Sequence, residues 1–80
     1  MDFEPVLQKV ISLAREQFPD ERAEIGERTT AASVAAWNSL THVMLITSVE
    51  KSFGIRFDLL EMIEMKSLGD IARATHDKMK

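Results

Sequence analysis

Few side chains in this sequence are suited to covalent chemistry, and the gaps are informative. There is no cysteine, so the chain brings no thiolate nucleophile, no disulfide and no thiolate metal site; any thiol chemistry has to arrive on a cofactor. His42 and His76 are far apart and lack the i, i+4 spacing with an intervening Glu that makes a zinc site. Both read as surface histidines. Gly26, Gly54 and Gly69 are scattered, so no glycine-rich phosphate loop is present. Ser39 and His42 stand three apart and could touch on a helix. A nucleophile and base also need an orienting third group and an oxyanion site, and nothing nearby supplies them. No catalytic residue and no metal site are expected. Asn38 and Ser39, taken alone, are an ordinary N-cap pair at the start of a helix.

The elements that would position Ser39 are helical. Phe3, Val6, Leu7, Val10, Ile11, Ala14 and Phe18 recur at spacings of three and four, which predicts a first helix. Asp2 is placed to cap it, Pro5 falls in its first turn, and Phe18-Pro19-Asp20 should stop it. From Pro19 to Ala36 there is no clean period, and a long connection with one short turn of helix at most is expected. A loop of that length in a small domain covers something or has a function. A second helix begins near Asn38, with Leu40, Val43, Leu45, Ile46, Val49 and Phe53 as its apolar side and Gly54 as its stop. Ile55-Arg56-Phe57 reads as a short extended stretch. Asp58 with Glu61, and Ser67 with Asp70, are capping-box pairs. They open a short third helix, Leu59 to about Glu64, and a last helix. The last helix turns Leu68, Ile71, Ala72, Thr75 and Met79 inward and carries Lys78 and Lys80 near its C-terminus.

With 80 residues, 45% hydrophobic and 29% charged, there is room for one small globular domain with a modest core, and none for a cleft between two lobes. A net charge of −3 argues against phosphate-backbone binding, so no nucleic acid is expected as partner. Acids predominate before Ser39 (Asp2, Glu4, Glu16, Asp20, Glu21, Glu24, Glu27 against Lys9, Arg15, Arg22, Arg28), and the remainder balances. No apolar run is long enough to span a bilayer. The acidic start, Met1-Asp2-Phe3-Glu4, lacks the features of a signal peptide. The expectation is a cytoplasmic protein, complete from its initiator Met.

Trp37-Asn38-Ser39-Leu40-Thr41-His42-Val43 at the opening of helix two, and Val49-Glu50-Lys51-Ser52-Phe53-Gly54-Ile55-Arg56-Phe57 at its close, resemble the acyl carrier protein family. That family's signature is Asp-Ser-Leu at the start of its second helix, which ends in a Glu-x-x-Phe-Gly-Ile-like segment, matched here by Glu50, Phe53, Gly54 and Ile55. The resemblance covers nearly the whole chain. It implies an all-α, four-helix bundle over residues 1–80, with three longer helices, a short third helix and a long loop after helix one. It also implies a function. Ser39, flanked by Asn38 and Leu40, would receive a 4′-phosphopantetheine arm from coenzyme A, through a phosphopantetheinyl transferase that uses magnesium. The arm's thiol would then hold acyl groups as thioesters for loading and processing enzymes. On this reading the protein is a carrier and turns nothing over itself, and a monomer suits it.

Three departures from the family pattern matter. Asn38 replaces the usual Asp, which keeps the capping oxygen and removes the charge. Ala36 stands where a Gly is often found, stiffening the approach to the helix. Met44 stands where many members carry Glu. At about 100° per residue, Thr41, Met44, Ser48, Lys51 and Ser52 fall on the outer side of helix two. In the family this face is acidic and docks on basic patches of partner enzymes; here it is neutral to basic. Thr41, Met44, Ser48 and Lys51, with Leu60 and Glu61 of the third helix, are the expected partner contacts. Because rim charge governs partner choice, a dedicated lipid, polyketide or similar pathway is expected in place of bulk fatty-acid synthesis. Trp37 is expected to anchor the loop over the bundle. Two other readings stay open: a helical interaction module without a prosthetic group, and a carrier of aminoacyl or peptidyl cargo.

Overall fold

The first amphipathic run forms α1 (Phe3–Gln17), with Val6, Leu7, Val10, Ile11, Leu13 and Ala14 buried. In the computed structural model, which describes residues 2–18 and 25–79, α1 ends where the sequence places its stop. Phe18, the residue before Pro19, leaves the helical region at φ −123° and packs into the core. Pro19, Asp20, Glu21, Glu24 and Lys80 lie outside the described residues. Asp2 stands at the N-cap position, but its side chain makes no capping hydrogen bond, contrary to the sequence expectation.

α2 (Ser39–Phe53), α3 (Leu59–Glu64) and α4 (Leu68–Lys78) follow, and among the described residues there is no β-strand. α1 packs most extensively on α4 and also on α2, with a smaller α2–α4 contact. The sequence marks the boundaries of these helices closely. Asn38, Asp58 and Ser67 each cap a helix reciprocally with the residue three positions on, Thr41, Glu61 and Asp70. Gly54 ends α2 in the left-handed region, at φ 66°, a conformation that glycine adopts without steric cost. Leu45, Ile46, Val49, Leu68, Ile71 and Ala72 complete the core against α1. The buried Thr75 hydroxyl is satisfied by donating to the Ile71 carbonyl at 2.7 Å.

The described part of the long connection, 25–37, is a succession of tight turns with no helix. It is stitched to the start of α4 by Leu68 N–H donating to the Thr29 carbonyl (3.0 Å) and Gly69 N–H donating to that of Glu27 (2.8 Å). A Cβ at Gly69 would lie 2.8 Å from Glu27 Cγ and 3.0 Å from the Glu27 carbonyl oxygen. Glycine is therefore what allows the loop and helix backbones to approach this closely. Ile25, Val34 and Trp37 drop from the loop into the core. This segment thus closes the open side of a three-helix cluster.

One expectation fails on α2. Leu40 and Val43 were assigned to its apolar side, but they are 70% and 47% exposed. The first turns of α2 extend past the surface that α1 and α4 cover, and α3, six residues long, buries none of its own side chains.

Candidate functional site

Ser39 is the first residue of α2, and it is exposed. The hydrogen bonds that build this turn bypass its hydroxyl. Asn38 Oδ1 accepts from the N–H groups of Leu40 (3.0 Å) and Thr41 (3.1 Å). Thr41 Oγ1 accepts from Asn38 N–H (2.8 Å) and donates to the Ala36 carbonyl (2.7 Å). The turn is therefore fixed by its neighbours while Ser39 Oγ stays available to an incoming group. The N–H groups of Leu40 and Thr41 are taken by Asn38, so what the helix end offers a phosphate is its dipole field and the remaining N–H of Ser39 itself.

Beside Ser39 lies an open groove of about 780 Å³, within the usual size for small-molecule sites. Its walls are Thr30, Ala31 and Ala32 of the loop, Trp37, His42 and Val43 around the start of α2, and Leu59, Met62, Ile63 and Met65 of α3 and its exit. The lining is mostly apolar, and Lys66 is the charged side chain at its rim.

His42 is not a surface residue. It is half-buried and both ring nitrogens are engaged: Trp37 Nε1–H donates to Nδ1 at 2.9 Å, and Nε2 lies 2.8 Å from the Met62 carbonyl. It therefore has no free nitrogen to act as a base toward Ser39, which removes the serine–histidine pair as a hydrolytic site. The other half-buried histidine, His76, packs edge-on against Phe3 with ring centroids 6.0 Å apart. Among the described residues no cluster of His, Asp or Glu could hold a metal ion.

The residues expected to meet partners are not equally accessible. Met44 is 46% exposed, and Lys51 and Leu60 are exposed. Thr41 and Ser48, expected among the most exposed positions of helix two, are half-buried with their hydroxyls bonded internally, Ser48 to the Met44 carbonyl at 3.2 Å. Glu61 is half-buried too, pairing with Lys78 Nζ at 2.9 Å and accepting from Asp58 N–H. These bonds hold its carboxyl below the usual range, the backbone bond first and the Lys78 ammonium second. The outer surface instead displays Leu40, Val43, Met44, Leu59, Leu60 and Ile63. The apolar character of Leu59 and Ile63 beside Leu60 was the signal for this patch in the sequence.

Glu50 and Phe57 complete the frame. Glu50 Oε2 accepts from Phe57 N–H at 2.8 Å, and the buried Phe57 ring lies under Lys78 Nζ at 5.6 Å. These contacts fix the extended link between α2 and α3, and so where α3 begins.

No protein-family model matches the chain, and no curated protein matches it. Among solved structures, the solution NMR structure of the holo acyl carrier protein from Geobacter metallireducens superposes with a TM-score of 0.81. It covers 94% of this chain and 86% of that one at 33% sequence identity. That match, together with the four-helix order and the capped serine turn, establishes that this chain is a carrier and not an enzyme, and that it belongs to the acyl carrier protein family.

Proposed function

We propose that Ser39 is the attachment point of a 4′-phosphopantetheine arm and that the protein carries acyl intermediates as thioesters. The observation that carries this reading is the availability of Ser39 Oγ: exposed, at the head of a fifteen-residue helix, on a turn whose hydrogen bonds leave the hydroxyl out. The solved neighbour is itself a holo carrier. The residues present fit the group. Ser39 supplies the ester oxygen, the dipole of α2 favours the phosphate, and the adjacent groove offers apolar cover for a chain. When bound, the arm supplies the thiol that the sequence lacks. Asn38 and Leu40 flank the attachment point, with Asn38 holding the turn rigid through its cap.

Modification requires a phosphopantetheinyl transferase with magnesium, and cargo requires loading and processing enzymes. A flexible arm on a small carrier raises the local concentration of its cargo at each enzyme in turn. We place their docking surface on the outer side of α2 and on α3, around Met44, Lys51 and Leu60, with Thr41, Ser48 and Glu61 at its half-buried edge. Leu40, Leu59 and Ile63 give this surface an apolar character, and no acid stands on α2 before Glu50. An enzyme that recognises carriers through a basic patch gains little here. The protein therefore serves a specialised lipid, polyketide or similar pathway, as a cytoplasmic monomer.

Intact-mass measurement after incubation with coenzyme A and a broad-specificity transferase tests the carrier reading. One phosphopantetheine should add to the wild type and none to Ser39→Ala. An unmodified wild type would leave a plain helical interaction module. The pathway reading is tested by acylation of the holo protein by a housekeeping fatty-acid ligase or malonyl transferase. Met44→Glu should accelerate it, and a wild type already loaded at full rate would refute the specialised role.

A further inference from the structure

Among the described residues, one group of side chains links α1, the loop, α2 and α3. Phe18, at the end of α1, stacks on Trp37 with ring centroids 5.9 Å apart and planes at 29°. Trp37 in turn stacks on His42 at 5.8 Å and 20°. The imidazole then reaches across to α3 through the Met62 carbonyl at 2.8 Å, twenty residues away in sequence. The directions of the two hydrogen bonds follow from chemistry. An indole N–H can only donate and a carbonyl can only accept, so Nδ1 is the acceptor and Nε2–H the donor, which fixes the tautomer. Trp37 precedes the cap of α2 and His42 is the fourth helical residue, so the pair also forms an aromatic version of the hydrophobic staple.

The other ties of α3 are limited: none of its side chains is fully buried, and Met62 packs partly buried against the core. Its capping box with Asp58 is internal to the element, and its Glu61–Lys78 ion pair is about one-third exposed on both sides, a kind of contact that contributes little. The hydrogen bond from His42 to Met62 is thus a polar tie between the two walls of the groove. Trp37, His42 and Met62 all line it.

We infer that His42 is a positioning residue that sets the spacing of α3 from α2 and so keeps the groove preformed for an apolar chain carried from Ser39. This rests on the carrier reading. A slot that exists before the chain arrives spares the ordering cost of making one, so His42 governs how well the protein shelters extended aliphatic cargo while leaving short cargo unaffected.

Three substitutions separate the two bonds. His42→Gln can keep the donor to Met62, His42→Asn can keep the acceptor for Trp37, and His42→Phe keeps only the ring. The first measurement needs no arm: amide hydrogen exchange of the unmodified protein at residues 59–65. Exchange there should be about fivefold faster in His42→Asn and His42→Phe, the factor for one net hydrogen bond, and close to wild type in His42→Gln. The second compares hydroxylamine cleavage of octanoyl and acetyl thioesters on the transferase-loaded proteins. Octanoyl cleavage should rise by a similar factor in His42→Asn and His42→Phe alone, and acetyl cleavage should stay level throughout. Equal exchange in all four proteins, or a His42→Gln variant as loose as His42→Asn, would overturn the assignment even if loading is normal. Failure of the wild type to load, with the exchange pattern as expected, would instead refute the carrier reading on which the cargo role stands.

Discussion

At the residue scale, two neighbours at the head of α2 divide the work. Asn38 does the structural part: its Oδ1 accepts two backbone N–H groups and its own N–H bonds to Thr41 Oγ1. Ser39 makes none of these bonds and stays exposed. Substitution should separate them. Asn38→Ala removes a cap and should lower stability by about 1 kcal/mol, read as a shift of the urea midpoint. Ser39→Ala should change stability by no more than about 0.5 kcal/mol, as exposed positions outside a cap generally do, while abolishing modification. Asn38 thus supplies the capping oxygen of this turn without a charge. His42 shows the limit of reading single residues from sequence. It was expected at the surface because neither of its partners is a signal that can be read locally. Trp37 is five positions away across a cap, and Met62 contributes a backbone carbonyl from another helix.

At the element scale, the boundaries were legible and the exposed faces were not. Gly54 and the pairs Asp58–Glu61 and Ser67–Asp70 act over three or four residues, so their sequence pattern is their mechanism. The outward placement of Leu40 and Val43 depends on how far α3 and the loop extend over α2, which periodicity does not encode. Ile25 and Val34 reach the core from turns, where there is no period to read. The capping carboxylates also give the short elements a pH dependence. Glu61 is held below its ordinary 4.5, mainly by the Asp58 backbone N–H and then by Lys78. Asp70 is held below 3.8, mainly by the Lys66 N–H and then by Arg73. A carboxyl whose folded value is lowered adds stability that is complete above its unfolded value and is lost as pH falls through the folded one. The melting temperature should therefore decline with acid from about the two ordinary values downward. Glu61→Gln with Asp70→Asn should flatten that limb, while a double variant that follows the wild-type curve would locate the acid sensitivity elsewhere. Both side chains are still about one-third exposed, so the effect is modest.

At the scale of the whole molecule, a domain of this size has little stability to spare. Leu45 is fully buried where α2 meets the rest of the core. Leu45→Ala should cost about 3 kcal/mol, a large share of the roughly 4–12 kcal/mol available to a chain of 80 residues. The substitution should shift the urea midpoint strongly while leaving its slope unchanged. No described helix is long and apolar enough to cross a membrane. The architecture was legible because four helices with marked ends, joined in this order, have few ways to bury three amphipathic faces together. The groove was not legible, since it is a space left between α2, α3 and the loop and no one segment encodes it.

The most direct test of the carrier account is to locate the modification on the chain. Cleavage after Lys and Arg releases residues 29–51 as one peptide that holds Ser33, Ser39 and Ser48. Fragmentation of that peptide from transferase-treated protein should place a single phosphopantetheine on Ser39. A group found on Ser33 or Ser48, or a peptide that stays unmodified under conditions that convert a known carrier, would contradict the account.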